Sequence, residues 1–452
     1  MFSVAETPTT VLSRPLILAS GSRYRRDLLA RLGLPFEVAS PDVDESRLPG
    51  EPAAALAERL ALAKAKVIAE RHPKALVIGS DQVCAFGEEC LGKPGSPEGQ
   101  KAMLERLSGH TVVYHTAVAV VGLEAIAHGA EAAFRDFVHR HRIPAIATYK
   151  AKGVLDEARD PWSLGGAGLS PVADRMLLPL LAGSDLVLLA GYDPIEQRIG
   201  WRQPWAEGAR VVEFCSVANT HYMHQAALSF VCDVGAGLRA LGEGVAGASQ
   251  WRPAEVAELR GRLRAAYRPD EEWGPAAICD VARRILPDDT IATTDAGAHR
   301  ILFSQVWDCR LPGTLFQSTG LCTMGCSLPL AAGAKLAAPD RVVACFVGDG
   351  CLEMVLGELA TLRDRALKVI FLVFVDESLA LIELKQRGSQ LPSLGVGFGG
   401  TDFAAVARAM GGEGHEVGDR AGLEAALRRA LAADRFSVIA CRIPARSYDG
   451  RI

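Results

Sequence analysis

The chain has 452 residues, and at about 150 residues per domain this length predicts about three domains. Hydrophobic residues make up 49% and charged residues 23% of the sequence, which excludes wholesale disorder, and the net charge of -4 gives no basic surface for binding nucleic acid. No apolar run approaches the length of about 20 residues that crosses a bilayer, and the N-terminus lacks a cleavable apolar segment, so we expect a cytoplasmic protein with no membrane partner.

Short apolar runs alternate with helical patterns along the chain, which predicts an α/β architecture with mostly parallel sheets. We expect three blocks: residues 1–122, residues 123–250 and residues 251–452, the second boundary falling in the Gly- and Ala-rich linker GEGVAGASQWRPAE. The first block contains a strand, LILAS, then a helix with a basic start, RYRRDLLARLG. An Ala-rich helix, PAAALAERLALAKAKVIAER, and a further strand, ALVIGSD, follow it.

The turn between the first strand and the basic helix carries a group of phosphate donors. Ser20, Ser22, Arg25 and Arg26 offer hydroxyl and guanidinium groups beside main-chain N–H groups at a helix N-terminus. Taken alone, such a helix start is usually a solvated face. The residues in their order resemble Maf-type nucleoside triphosphate pyrophosphatases, and VIGSDQVC resembles the 7-methyl-GTP pyrophosphatase branch of that family.

The resemblance implies a hydrolase that cleaves a nucleoside triphosphate into a nucleoside monophosphate and diphosphate. Glu45 would help hold the metal ion, and Asp81 would act as the general base that activates water. The implied substrate-binding residues are Ser20, Ser22, Tyr24, Arg25, Arg26, Lys64, Gln82 and Lys93. Since Gly122 passes directly into a different helical pattern, we expect about the last third of a Maf domain to be absent.

The second block alternates helix and strand as a doubly wound sheet does, through AAFRDFVHRHR, IPAIATY, SDLVLLAGYD and ARVVEFC. Gly165, Gly166 and Gly168 form a turn that either approaches a nucleotide or serves the fold alone, and we favour the structural role. His221 and His224 suggest a metal pair, although a structural role is the more common one for histidines in such a loop.

The third block contains two buried strands, RVVACFV and LKVIFLVFV, with a helical segment between them. Asp349 ends the first strand and Asp376 ends the second, 376 − 349 = 27 positions later. Parallel strands joined by one crossover point the same way, so both carboxylates are expected at the same sheet edge. Oxygen ligands placed there suit Mg²⁺, unless the Gly-Asp-Gly sequence is only a turn.

Gly-Asp-Gly followed at this interval by a second polar residue resembles the thiamine diphosphate motif of acetolactate synthase-like enzymes. TDAGAHR and STGLCTMGCSLPLAAGAKLA are similar to the segments that hold the diphosphate and the thiazolium ring, and the second block is similar to the central domain of these enzymes. The resemblance implies thiamine diphosphate and Mg²⁺ as cofactors and 2-oxo acids as substrates. Asp349, Asp376 and the main-chain carbonyl of Ser378 would then bind Mg²⁺.

The remaining cofactor contacts follow from the same resemblance. Gly297, Ala298 and His299 would line the diphosphate, and Met324 would be the apolar buttress that bends the cofactor. Gly348 and Gly350 flank the metal ligand. The chain departs from the family at Val375 and Asp376, where a pair of asparagines is usual, and the additional carboxylate makes the site more dependent on the metal.

The fold class expected from both resemblances is α/β: a partial Maf-type domain, then a Rossmann-like central domain and a thiamine diphosphate-binding domain, both doubly wound. Nothing in residues 1–122 resembles the pyrimidine-binding domain that supplies the catalytic glutamate in such enzymes. We therefore expect a homo-oligomer or a separate pyrimidine-binding subunit. Three hypotheses remain open: a thiamine diphosphate enzyme, a nucleotide pyrophosphatase and a catalytically inactive fusion.

Overall fold

The computed structural model describes most of the second and third blocks and parts of the first. The described residues are 15–21, 26, 29, 35–46, 48, 53–79, 84–86, 89–91, 117–195, 197–245 and 247–452. The chain forms two compact units, residues 1–111 and residues 112–452. Within the described part, no helix is long and apolar enough to cross a membrane.

The first unit contains a small parallel sheet and a hairpin. Its elements are β1 (Leu16–Ala19), β2 (Glu37–Ala39), α1 (Ala53–Arg71), β3 (Leu76–Gly79), β4 (Cys84–Phe86) and β5 (Glu89–Leu91). β1 pairs in parallel with β2 and β3, while β4 and β5 are antiparallel. Ile17 and Ala19 of β1 pack against Ile68 of α1, which confirms the predicted strand and the Ala-rich helix.

The second unit begins with a six-stranded parallel sheet in the order β11-β10-β9-β6-β7-β8. Its strands are β6 (Ala117–Val121), β7 (Ala145–Thr148), β8 (Ser163–Ala167), β9 (Leu186–Ala190), β10 (Arg210–Cys215) and β11 (Leu228–Val231). Its helices are α2 (Leu123–Ala127), α3 (Glu131–His141), α4 (Pro171–Ala182), α5 (Val234–Gly244) and α6 (Pro253–Ala266), with a 3-10 turn at Ile199–Trp201. This strand order is that of a dinucleotide-binding fold, as predicted.

Two elements pack with the central sheet across the predicted block boundaries. β6, which the sequence placed at the end of the first block, lies in the middle of the second sheet and pairs with β7 and β9. Its apolar residues are buried there between two neighbouring strands. Helix α6, predicted to open the third block, contributes Val256 and Leu263 to the same core as this sheet. The linker therefore joins two helices that pack on the same core.

A second six-stranded parallel sheet follows, in the order β13-β12-β14-β15-β17-β16. Its strands are β12 (Ile291–Thr294), β13 (Leu315–Gln317), β14 (Val343–Gly348), β15 (Ile370–Val375), β16 (Glu413–Val417) and β17 (Ser437–Arg442). Its helices are α7 (Pro275–Ile285), α8 (Ala298–Val306), α9 (Ser327–Ala337), α10 (Asp349–Glu353), α11 (Leu359–Asp364), α12 (Ala380–Gly388), α13 (Phe403–Ala409) and α14 (Arg420–Ala432), with a 3-10 turn at Leu356–Glu358.

All residues of β14 and β15 are buried, because separate apolar clusters cover the two faces of this sheet. The fold class predicted from the sequence is confirmed: the molecule is α/β, with a small parallel sheet followed by two doubly wound parallel sheets.

Polar contacts join the two large sheets within the second unit. The buried ammonium of Lys152 donates to Oε2 of Glu157 at 2.6 Å, and the same oxygen accepts the main-chain N–H of Cys309 at 2.9 Å. Gln317, at the end of β13, donates to the main-chain carbonyl of Tyr149 at 3.0 Å. These bonds fix the position of β13, which lies next to the strands of the candidate site.

Candidate functional site

The strand order of the third sheet changes direction between β12 and β14. The carboxyl ends of neighbouring strands at such a point leave a crevice in which open α/β folds bind ligands. A cavity of about 220 Å³ lies here. It is lined by the segments that follow β12, β14 and β15, together with Cys322, Met324 and Tyr448.

The structure brings all the predicted cofactor and metal residues of the third block to this one cavity. The predicted residues in its lining are Gly297, Ala298, His299, Met324, Gly348, Asp349, Gly350, Asp376 and Ser378. Sequence analysis missed Cys351 and Tyr448, which also line it, and Asp295, which is fully buried behind it. Cys351 adjoins the Gly-Asp-Gly turn, whereas Tyr448 lies far along the chain and carries no sequence signal.

Asp349 joins the ends of β14 and β15 by hydrogen bonds. Its Oδ1 accepts the main-chain N–H of Gly350 at 2.7 Å, and its Oδ2 accepts those of Asp376 at 3.0 Å and Glu377 at 2.7 Å. Burial raises the pKa of Asp349, while these three N–H donors act in the opposite direction. The carboxylate is therefore held in a fixed position at the mouth of the crevice.

Asp376 lies beside it with one carboxylate oxygen unsatisfied. Its Oδ2 is buried and has no hydrogen-bond partner. Burial, and then the neighbouring Asp349 carboxylate, raises the pKa of Asp376 to about 7. A buried polar atom without a hydrogen-bond partner destabilises the fold. A divalent cation bound between the two carboxylates would give this oxygen a ligand and would neutralise the repulsion between the carboxylates. The donor set present here fits Mg²⁺.

Part of the cavity lining is formed by glycines packed against an imidazole. A Cβ on Gly297 would lie 2.8 Å from Nδ1 of His299, and one on Gly348 would lie 3.0 Å from the same atom. Gly297 has a φ of 149° and immediately precedes α8, which has no side-chain cap and whose first two residues line the cavity. Main-chain N–H groups at a helix start bind phosphate oxygens, so this part of the lining fits a diphosphate.

Exposed apolar side chains flank the segments that line the cavity. Leu321 is 90% exposed, Met354 is 64% exposed and Ile382 is 46% exposed. Each adjoins or belongs to a lining segment. Large apolar side chains that remain in water beside a binding site are typical of a surface that another protein covers.

Few of the predicted nucleotide residues in the first unit lie within the described part of the chain. Ser20 and Lys64 are buried, Arg26 is exposed, and Nζ of Lys64 lies 2.5 Å from Oε1 of Glu45. The structure therefore brings the predicted metal-binding carboxylate and one predicted cation into contact. The other predicted residues lie outside the described residues: Ser22, Tyr24, Arg25, Asp81, Gln82 and Lys93.

In the central sheet the strand order changes direction between β6 and β9, but the crevice at this point is closed. A Cβ on Gly122 would lie 2.0 Å from the carbonyl oxygen of Gly191, so the two main chains touch. His224 bonds Oε1 of Glu213 at 2.7 Å in a buried pair, and His221 packs against its ring. These contacts support a structural role for both histidines and for this domain.

Comparison with known proteins agrees with this architecture. Residues 295–441 match the model of the thiamine pyrophosphate enzyme C-terminal TPP binding domain, and residues 113–241 match that of the thiamine pyrophosphate enzyme central domain. Residues 15–153 match the Maf-like protein model. The chain therefore belongs to the Maf-like family through its N-terminal part and continues into the central and C-terminal domains of a thiamine pyrophosphate enzyme.

Three curated relatives match the N-terminal part of the chain. A 7-methyl-GTP pyrophosphatase of Polaromonas sp. is 58% identical over 123 residues, which are 27% of this chain and 56% of the relative. The chain thus spans about half of that protein. The enzyme of the same name from Aromatoleum aromaticum is 43% identical over 176 residues, 39% of this chain and 88% of the relative. That of Chromohalobacter salexigens is 38% identical over 200 residues, 40% of this chain and 98% of the relative.

The Maf-like match overlaps the central-domain match over residues 113–153. The structure builds this segment, from Ala117 onward, into the second sheet. The similarity to Maf proteins therefore continues beyond the point at which the chain enters a different fold. A segment folded into the six-stranded sheet is not available to complete the first unit.

Proposed function

We propose that this chain binds thiamine diphosphate through Mg²⁺ and serves in the cytoplasm as the diphosphate-binding part of an acetolactate synthase-like enzyme acting on 2-oxo acids. The observation that carries the proposal is the unpartnered Oδ2 of Asp376, buried beside Asp349 at the edge of the cavity. Thiamine diphosphate, when bound, supplies the carbon nucleophile and electron sink for cleaving the bond next to a 2-oxo group.

In this proposal, Asp349, Asp376 and the main-chain carbonyl of Ser378 hold the metal ion. Gly297, Ala298 and His299 bind the diphosphate, and Gly348 and Gly350 keep the backbone close to it. Met324 would support the thiazolium ring. The chain's own residues would thus anchor and orient the cofactor.

The proposal places the other half of the active site on a different chain. A pyrimidine-binding subunit, or a larger homo-oligomer that contains such a domain, would cover the apolar residues Leu321, Met354 and Ile382. It would also supply the acid that protonates the aminopyrimidine ring.

Titration calorimetry tests the binding proposal. Thiamine diphosphate should bind the full chain in the presence of Mg²⁺ and should give no measurable heat after the metal is removed with a chelator. Binding of equal strength under both conditions would contradict the assignment of Asp349 and Asp376 as metal ligands.

A second prediction concerns Asp376 and pH. Its carboxyl group must lose a proton to bind the metal, and with a pKa of about 7 this proton competes increasingly as the pH falls. We expect the affinity of the wild-type chain for Mg²⁺ and cofactor to fall as the pH drops through about 7. Asp376→Asn should bind at least as tightly at neutral pH, because one negative charge beside the diphosphate is removed, and with a flatter pH dependence. Clear weakening in this variant would show that the carboxylate is the preferred ligand.

The names of the relatives support a second candidate function, hydrolysis of 7-methyl-GTP or another nucleoside triphosphate by the first unit. We predict weak or absent turnover, because residues from Ala117 onward belong to the second sheet and a partial domain does not enforce a near-attack geometry. Product assays with 7-methyl-GTP and Mg²⁺ test this. Turnover comparable to a complete Maf enzyme, abolished by Asp81→Asn, would favour the pyrophosphatase instead.

If neither cofactor binding nor turnover is found, the remaining hypothesis is a catalytically inactive fusion. The calorimetry and the product assay together distinguish the three hypotheses.

A further inference from the structure

Three ligand-forming side chains cluster behind the cavity, and the proposed magnesium site does not use them as ligands. Asp295, His299 and Cys351 each offer one ligand atom, and the three atoms lie within 4.8 Å of one another. All three residues are buried, with exposed fractions of 0%, 4% and 3%. Among the residues that the structure describes, no other trio of this kind occurs.

The cluster is assembled by the same two turns that form the cavity. Asp295 follows β12, His299 lies in the first turn of α8, and Cys351 lies in α10. Nε2 of His299 lies 3.1 Å from Oδ1 of Asp295, and the thiol of Cys351 donates to the main-chain carbonyl of Ala296 at 3.1 Å. The ligand atoms therefore converge before any ion is bound.

Further hydrogen bonds hold the carboxylate of Asp295 in place. Its Oδ2 accepts the N–H of Gly325 at 2.9 Å and the hydroxyl of Ser327 at 3.0 Å, which leaves Oδ1 directed towards His299. Such secondary bonds orient metal ligands and sustain affinity in protein metal sites. Because these bonds already order the Asp295 side chain, less conformational entropy is lost when an ion binds.

We propose that Asp295, His299 and Cys351 bind a thiophilic divalent cation such as Zn²⁺, at a site distinct from the Asp349 and Asp376 pair. A thiolate, an imidazole and a carboxylate are ligands that Zn²⁺ accepts, with a fourth tetrahedral position left for water. Mg²⁺ prefers an all-oxygen set and would not compete well here. The cavity, which His299 and Cys351 both line, gives the ion a path from solvent.

Metal binding at this site releases the thiol proton of Cys351, and His299 coordinates through an unprotonated ring nitrogen.

Cobalt spectroscopy of the metal-free full chain tests the proposal without thiamine diphosphate. Co²⁺ bound to a thiolate gives a near-ultraviolet charge-transfer band, and a tetrahedral site gives intense visible bands. We expect both at one ion per chain, with loss of both on adding Zn²⁺. Cys351→Ser should lose the thiolate band and weaken binding by about 100-fold or more, since even indirect supports of metal sites are worth 10–100-fold.

Two controls locate the site. Cys322→Ser removes an exposed cysteine that lines the same cavity and should retain the thiolate band, and Cys232→Ser, at a cysteine outside the cavity lining, should retain it as well. If circular dichroism shows that Cys351→Ser does not fold, Asp295→Asn is the second test variant. It should bind Co²⁺ more weakly than the wild type does. A wild-type chain without the thiolate band, or a band that persists in folded Cys351→Ser, would overturn the proposal.

Discussion

The purified chain, saturated with thiamine diphosphate and Mg²⁺, should neither decarboxylate pyruvate nor join two 2-oxo acids. The proposed site would anchor the diphosphate, but deprotonation of the thiazolium carbon would also need an acid at the pyrimidine ring. Residues 15–153 match the Maf-like protein model, so we expect this part of the chain not to supply the acid, even in a dimer. The expected rate is that of the free cofactor.

Proton exchange at the thiazolium carbon, followed by NMR in deuterated solvent, measures this step alone. The bound cofactor should exchange no faster than the free cofactor, and addition of a separately encoded pyrimidine-binding subunit should accelerate exchange strongly. Rapid exchange on the isolated chain would show that another of its own carboxyl groups has taken this role, and the proposal of a missing half-site would fail.

Asp349→Ala should abolish Mg²⁺-dependent binding of thiamine diphosphate. The substitution removes a metal ligand, and it also removes the acceptor of three main-chain N–H groups that fixes the ends of β14 and β15. Since indirect supports of metal sites contribute 10–100-fold, we expect the direct ligand to contribute about 100-fold or more. Calorimetry with Mg²⁺ present measures the loss.

Two variants separate ligand loss from unfolding. Asp349→Asn keeps the volume of the side chain and should still bind weakly, and Asp364→Ala removes an exposed carboxylate of the same domain and should bind as the wild type does. Circular dichroism should show all three variants folded. Unchanged affinity in folded Asp349→Ala would show that the metal is held elsewhere.

The sequence predicts the βαβ unit at the cavity well, for a physical reason. β14 and β15 are covered on both faces, so their residues form unbroken apolar runs, and each run ends where Asp349 or Asp376 begins the following segment. Parallel strands joined by one crossover bring such ends to one edge. The placement of both carboxylates thus follows from local patterns alone.

The sequence does not predict to which sheet each strand belongs. β6 has the apolar character of a buried strand in any parallel sheet, and only its pairing with β7 and β9 assigns it to the central domain. Helix α6 follows a Gly-rich linker but packs back on the same core. Contacts of this kind depend on tertiary structure, which local periodicity does not encode.

The residues that support the site from behind could be recognised only in the structure. Asp295 adjoins the predicted diphosphate segment, yet its bonds to Gly325 and Ser327 cross a long interval of the chain. Tyr448 reaches the cavity from beyond the last strand. Neither position has a spacing or a residue pattern that predicts these contacts.

A crystal structure of the chain with thiamine diphosphate and Mn²⁺ in place of Mg²⁺ tests the proposed metal ligands, because the anomalous signal of manganese locates the ion. We expect one peak bonded to Asp349, Asp376 and the main-chain carbonyl of Ser378, with the diphosphate against Gly297 and His299. A manganese peak away from both carboxylates, or a cofactor bound outside this cavity, would contradict it.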